Sequence, residues 1–520
     1  MAEPDQDPLA TTSGWGRWRW PFTVLVGAAL VVGVVLRFVS RSPLWLDETL
    51  SVNIARLPLG DIPEALRHDG HPPLYYWLLH GWMALFGQGS VAVRAFSGLW
   101  GLALFPLVWV AARRLGGRRV AIYAVALLAL SPYAIRYAAE TRMYAMVSVL
   151  ALAGWLLADD ALRSPRPIRL AGVAATVALL VWTHYWAIWF LGAAAAGLVV
   201  HGWRARRAGR ADDVGATARV LGAMVVGGLT FIPWVPSLLY QGAHTGTPWA
   251  RPLRPTEMVI FTLSDFGGGP RPEGQFLGWL LSLALVVGLF GAARDRLHVD
   301  LDVRTRPAPR PFAILIAGTL ALACVVGYAT GATYATRYAA VFFPFFLLLA
   351  ALGVDQLRSR PIVVGTLAVL LALGGAVGAL NVTEARSDAA RSADAIEAAG
   401  EPGDLVVYCP DQLGPATSRL LDAGFDQVTF PELAPPELVD WVDYKARLRA
   451  VTPEAFAQEV LDRAGPRQIF FVYSTNYETH RDLCPAIYNA LGVDRVPEVL
   501  TQPSDAYEWA SVVRFTPRPS

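Results

Sequence analysis

Leu74-Tyr-Tyr-Trp-Leu-Leu-His-Gly-Trp-Met-Ala-Leu-Phe86 is the stretch on which the fold turns. It is apolar, but its 13 residues fall short of the roughly 20 that a membrane helix needs. That length suits an interfacial or re-entrant helix. Whether it crosses decides the sidedness of everything that follows. If it does not cross, the loops Arg113–Arg119, Asp159–Arg169, His201–Arg219, Arg294–Arg310 and Asp355–Arg360 all face inward. Those loops hold most of the arginines, as the positive-inside rule requires. If it does cross, the run Arg113, Arg114, Arg118, Arg119 lies outside. The non-crossing reading predicts eleven transmembrane helices, an inner N-terminus and an outer C-terminal domain.

The eleven expected spans lie at 22–39, 91–111, 119–134, 143–158, 168–183, 186–202, 216–236, 276–293, 312–329, 335–353 and 361–380. The first is no signal peptide, because it lacks a small-residue cleavage site and Arg37 and Arg41 follow it directly. Composition agrees. Of the 520 residues 54% are hydrophobic and 17% charged, against about a quarter charged in a soluble protein. Disorder is excluded by the apolar content, and a disulfide scaffold by three cysteines in the whole chain. No internal repeat is visible, and nothing points to nucleic acid as a partner.

Net charge hides an asymmetry. Residues 384–520 carry 22 acidic and 12 basic side chains, while residues 1–383 carry 20 acidic and 32 basic ones. The expected organisation is a cytoplasmic arm over 1–21, a multi-spanning module over 22–383 with a long outer loop at 40–90, and a soluble extracytoplasmic domain over 384–520. Other outer segments fall near 135–142, 184–185, 237–275 and 330–337. In the last domain Asp404–Cys409, Gln468–Ser474 and Glu508–Phe515 read as strands. Leu413–Leu421, Pro453–Arg463 and Arg481–Leu491 read as helices, so a small α/β domain is expected. No glycine-rich phosphate fingerprint follows any strand.

Four outer segments carry chemistry. Trp45-Leu-Asp-Glu48 places two adjacent carboxylates near a bilayer surface. Asp47 reads as the N-cap of a helix Glu48–Leu57, as a general base for an acceptor hydroxyl, or as both. His68-Asp-Gly-His-Pro-Pro-Leu-Tyr-Tyr76 presents Asp69 and His71 on a stiff turn. They read as a second catalytic pair or, with Asp47, as ligands of a divalent metal ion; the spacing leaves both open, and no other cofactor is expected. Arg136-Tyr-Ala-Ala-Glu-Thr-Arg-Met-Tyr144 holds two cations to one anion. Arg136 and Glu140 are spaced for an ion pair, leaving Arg142 to bind an anion. Arg337 in Tyr334-Ala-Thr-Arg-Tyr338 either snorkels or binds phosphate. Glu140, Tyr338 and His184 are substrate-pocket candidates, His184 otherwise fitting an aromatic belt. Cys409 ends the first strand and Cys484 starts a helix after the second. If those strands are parallel neighbours, the two cysteines can form a disulfide.

Taken in order, these segments resemble a known family. Asp47-Glu48 after the first span, followed by Asp69-Gly-His-Pro-Pro-Leu74, is similar to the protein O-mannosyltransferases. Arg337-Tyr338 before a penultimate span resembles their bacterial relatives and the lipid A aminoarabinose transferase. Together these are the GT-C multi-spanning glycosyltransferases, and the resemblance covers roughly residues 20–355. It implies a polyprenyl-phosphate sugar donor and transfer of mannose, or of another hexose or a pentose, on the extracytoplasmic face of the cell membrane. It implies Asp47 as base or acceptor binder with Glu48, Asp69 and His71 nearby, and Arg136, Arg142 and Arg337 as donor-phosphate ligands. Residues 384–520 show no sign of the β-trefoil insertion of the eukaryotic mannosyltransferases, so a lipid or glycan of the cell envelope is the expected acceptor. A polytopic lipid or sugar transporter or flippase is the alternative. It is expected to place its charges at the bilayer midplane, where this chain has few.

Overall fold

The computed structural model describes residues 18–245, 253–331 and 334–519. Most of the expected arm 1–21, and short parts of the outer segments 237–275 and 330–337, lie outside the described residues. The chain divides into two compact units. One comprises residues 1–40, 94–235 and 252–383, the other residues 41–93, 236–251 and 384–520. The division at 383/384 coincides with the expected boundary, but residues 41–93 and 236–251 group with the C-terminal residues and not with the multi-spanning module.

The first unit is helical. Among the described residues seven helices are long and apolar enough to cross a membrane: Arg19–Leu36, Ser90–Ala129, Tyr144–Arg163, Trp186–Arg207, Pro272–Phe290, Arg310–Thr330 and Arg360–Thr383. An eighth results if Ala211–Leu229 and Ile232–His244, bent by 40°, form one span. The number differs from eleven for physical reasons. Ser90–Ala129 holds two of the expected spans, broken at Gly116 and Gly117. Gly117 has φ 79°, a left-handed conformation that glycine alone adopts freely. Pro167–Thr183 and Phe343–Val354 are apolar but only 17 and 12 residues long.

Close packing in this unit depends on small residues. A Cβ on Gly353 would lie 1.7 Å from the Ala284 carbonyl oxygen, and one on Gly288 2.2 Å from that of Leu349. The helices Pro272–Phe290 and Phe343–Val354 therefore touch backbone to backbone. Arg37, expected only as a flanking charge, is buried. Its guanidinium donates to the carbonyls of Gly33, Ala129 and Leu128 at 2.5, 2.9 and 2.8 Å. It thus bonds carbonyls in the last turns of two helices. A short antiparallel hairpin, β1 (Gly291–Ala293) and β2 (Val299–Leu301), closes one inter-helix connection.

The second unit is built on a five-stranded mixed sheet. Its strands are β3 (Leu405–Cys409), β4 (Asp426–Thr429), β5 (Ile469–Tyr473), β6 (Arg495–Thr501) and β7 (Ser511–Pro517). The order is β4-β3-β5-β7-β6, with β3 parallel to β4 and β5, and β7 antiparallel to β5 and β6. Alternation sends Leu405, Val407 and Cys409 to one face and Val406 and Tyr408 to the other. Both faces are covered. The strand expected at Glu508–Phe515 begins later, at Ser511, because Asp388 occupies the preceding backbone. Its carboxylate accepts from the Ser504 and Ala510 N–H groups, both at 3.1 Å.

Segments distant in sequence complete this unit. Trp45, Leu46 and Leu50 belong to the same apolar cluster as Val407, Phe471 and Ile487. Burying side chains of this size contributes about 1.5–3 kcal/mol each. Asn53 donates to the Glu437 carbonyl at 2.7 Å, Trp441 N–H to the His68 carbonyl at 3.1 Å, and Gln241 to the Leu66 carbonyl at 2.7 Å. Leu74–Phe86 is a 13-residue helix of this unit and packs against Leu46–Ala55.

Candidate active site

The candidate residues form two groups, one within each unit. In the second unit the acidic segment forms the helix Leu46–Ala55. It starts two residues earlier than expected, so Asp47 sits in the first turn and is not the cap. The cap position falls to Trp45, whose side chain makes no capping bond. Glu48 is buried, and Asp47 is half-buried. Two carboxylates in a first turn are favoured by the positive end of the helix dipole.

Asp69 ends the helix Ile62–Asp69, and Gly70 at φ 88° turns the chain. A left-handed residue is needed here, and Thr245 Oγ1 would lie 3.3 Å from a Cβ. His71 and two prolines then lead to Leu74. The turn brings His71 Nδ1 to 2.8 Å from Asp69 Oδ2, and the same oxygen accepts from the Tyr76 hydroxyl at 3.2 Å. Asp69 thereby orients the imidazole through Nδ1. Among the described residues no group of three His, Cys, Asp or Glu side chains is placed to hold a metal ion. Asp47, Asp69 and His71 therefore do not form such a group in this structure.

In the first unit Arg136, Arg142 and Arg337 border one aromatic cluster. Their guanidinium carbons lie 5.4 Å from the Tyr137 ring, 6.0 Å from the Tyr144 ring and 5.8 Å from the Tyr338 ring. Tyr137 stands 5.0 Å from Tyr144, Tyr144 5.8 Å from His184, and His184 5.2 Å from Tyr338. Trp186 stacks on Tyr338 at 5.1 Å. His184 is buried in this path, and its Nδ1 accepts from the Trp186 N–H at 3.1 Å.

The expected tally of two cations to one anion needs correction. Arg136 stands between Glu140, at 3.9 Å, and Asp265, at 3.4 Å. Asp265 also accepts from the Tyr137 hydroxyl at 3.2 Å. The sequence reading missed Asp265, though a carboxylate set among the apolar residues of Met258–Phe266 was the available signal. Glu140 and Arg142 are both buried.

The C-terminal sheet carries a polar network of its own. Tyr444 donates to Asp411 at 2.5 Å, accepts from Gln412 at 2.8 Å and meets His480 Nε2 at 3.2 Å. Burial pushes the Asp411 carboxyl up to about 7, and His480 down to about 4. Beside it Cys409 and Cys484 form a disulfide with a Cα separation of 5.6 Å. Cys324 is a free thiol.

Residues 70–233 match the model of the family described as dolichyl-phosphate-mannose-protein mannosyltransferase. That match takes in His71, Arg136, Glu140, Arg142 and His184, and leaves Asp47, Glu48, Asp69, Arg337 and Tyr338 outside. No curated protein matches the chain by sequence. Two solved structures of ArnT from Cupriavidus metallidurans are similar to it. The apo state gives a TM-score of 0.58 at 15% identity, covering 97% of this chain and 98% of that one. The form bound to undecaprenyl phosphate gives 0.56 at 14%, covering 95% and 97%. At this identity the likeness is one of fold. The fold is of the GT-C type that the sequence resemblance implied, and the chain is a multi-pass membrane protein.

Proposed function

We propose that the chain is a membrane glycosyltransferase that moves a hexose or pentose from a polyprenyl-phosphate donor to a lipid or glycan acceptor of the cell envelope. The proposal includes eleven crossings, an extracytoplasmic second unit and inversion at the anomeric carbon. One observation carries it. The acidic first turn at Asp47 and the Asp69–His71 pair stand on neighbouring short helices of one compact unit, on a chain with a GT-C fold.

Asp47 is the base of this reading. Its carboxylate takes the proton of the acceptor hydroxyl as the oxygen attacks the anomeric carbon. The bond from that carbon to the phosphate oxygen breaks on the opposite side, and the lipid phosphate leaves with the bonding electrons. One base and no covalent sugar–enzyme intermediate are needed. Asp69 holds the orientation of His71, which stands beside the reacting groups in this reading. Arg337, Arg142 and Arg136 meet the phosphate, for which a planar donor fork is suited. The aromatic faces of Tyr338 and Trp186 offer a wall on which the sugar or the first isoprene units can stack.

The test is transfer of radiolabelled mannose or arabinose from its polyprenyl phosphate by the purified protein. Asp47→Asn keeps size and removes the charge. Turnover is expected to fall by roughly 100-fold or more with donor KM little changed. Near-normal turnover would remove Asp47 from the role.

A further inference from the structure

We infer that Glu508 is a positioning residue for the acidic helix: it caps Leu46–Ala55 from the C-terminal domain and thereby fixes the setting of Asp47. The inference rests on the reading of Asp47 as base. The geometry supplies what the helix itself lacks. The first N–H groups of a helix have no partner within it, and Trp45 at the cap position offers no side-chain acceptor. Glu508 Oε2 accepts from the Leu46 N–H at 3.1 Å, across 462 residues of sequence. Capping from a distant segment ties the position of a helix to that segment, which a local cap cannot do.

Glu508 is itself held. Its N–H donates to the Arg386 carbonyl at 2.8 Å, and its carbonyl accepts from the Asp388 N–H at 3.0 Å. Asp388 then grips the loop on both sides of Glu508. Its carboxylate accepts from the Ser504 N–H at 3.1 Å, the Ser504 hydroxyl at 2.6 Å and the Ala510 N–H at 3.1 Å. The neighbouring Tyr507 ring meets the Trp45 ring edge-on at 6.0 Å, and the Arg386 guanidinium stands 5.7 Å from the Trp45 ring. The domain therefore clasps Trp45 and Leu46 from several directions, and Asp47 is the next residue.

The charged and titratable groups acting on Glu508 are Asp47, Glu48, Arg386 and Tyr477. Burial pushes its carboxyl up to about 8; Asp47 and Glu48 push the same way, and the Leu46 N–H and Arg386 oppose. Protonated or ionised, the carboxyl accepts the Leu46 bond through Oε2. Its amide isostere keeps that ability, while an apolar residue loses it.

The experiment uses the full-length protein in detergent, with polyprenyl-phosphate mannose or arabinose, whichever turns over. Three variants are compared: Glu508→Gln, Glu508→Ala and, as reference, Asp47→Asn. Glu508→Gln is expected to stay within about threefold of wild type, while Glu508→Ala lowers kcat by about tenfold or more with donor KM within about twofold. Hydrogen exchange of the peptide covering residues 44–52 is expected to accelerate in Glu508→Ala only, with β5 unchanged as the control for folding. Wild-type kcat and exchange in Glu508→Ala would overturn the inference. So would equal damage from Gln and Ala, which would assign the carboxyl a role other than acceptor. Normal turnover by Asp47→Asn would sink the base instead, and the exchange comparison would still decide the cap.

Discussion

Cutting the Cys409–Cys484 bond is expected to loosen the whole second unit. The two cysteines are 75 residues apart in sequence, and the loop they close contains Asp411, β4, Tyr444, β5 and His480. In the chain-entropy model a closed loop of this size removes about 15 cal/mol/K from the unfolded chain, or about 4.5 kcal/mol at 25 °C. The second unit holds about 200 residues, a size at which 1 kcal/mol moves a melting temperature by about 2–4 °C. Cys409→Ser with Cys484→Ser should therefore melt about 9–18 °C lower. The assay is a thermal ramp in detergent, reading the temperature at which protease first cuts within residues 384–520. A parallel sample of wild type, denatured without reductant and alkylated, should be modified at Cys324 alone. A shift smaller than about 3 °C would refute the entropic argument. Alkylation at both Cys409 and Cys484 would refute the bond itself.

Arg337→Ala should raise donor KM and Arg337→Lys should do so less, if the guanidinium meets phosphate; unchanged kcat and KM in both would leave Arg337 a flanking charge. For topology, a cysteine placed at the exposed Glu454 should react with an impermeant thiol reagent in intact cells and one at the exposed Arg118 should not, the reverse pattern rejecting an outer second unit. Acid–base behaviour follows from two raised carboxyls. Asp411, near 7, and Glu508, near 8, bind protons more tightly folded than unfolded, so their contribution is lost as pH rises through 7 and 8. The second unit should thus melt higher at pH 6.5 than at pH 9, and Asp411→Asn with Glu508→Gln should flatten that slope. Below 6.5 the neutral, buried His480 works in the opposite direction.

Local features were legible in the sequence because hydropathy and turn chemistry act over short distances. The expected spans overlap helical residues, although 335–353 divides into a 3-10 segment, Thr336–Val341, and the short helix Phe343–Val354, and β3 and β5 lie within a residue of the expected strands. The Asp69-Gly70-His71 turn was visible for the same reason, since Gly70 and two prolines constrain only their neighbours. What was hidden depends on partners far away in the chain. Nothing near residue 46 announces that its cap is Glu508, and nothing near Arg136 announces Asp265. The start of the acidic helix was misplaced by the capping preference of Asp47, which tertiary packing of Trp45 and Leu46 overrides. The strands β4 and β6 went unseen because their burial is partial and their alternation weak.

The second unit is assembled from three separated stretches of chain, and this sets an order on biogenesis. Residues 41–93 leave the ribosome early, but the strands that bury Trp45 and Leu46 begin only at Leu405. At about 5–20 residues per second, the roughly 300 intervening residues take about 15–60 seconds to synthesise. For that interval the acidic helix has neither its apolar floor nor the Glu508 carboxyl. A nascent chain halted before its last hundred residues would carry every membrane helix and the whole Asp-Glu and Asp-Gly-His sequence, yet would hold them unset. The setting of the acidic helix therefore arrives late and at once, when the end of the chain closes over a segment made near its beginning.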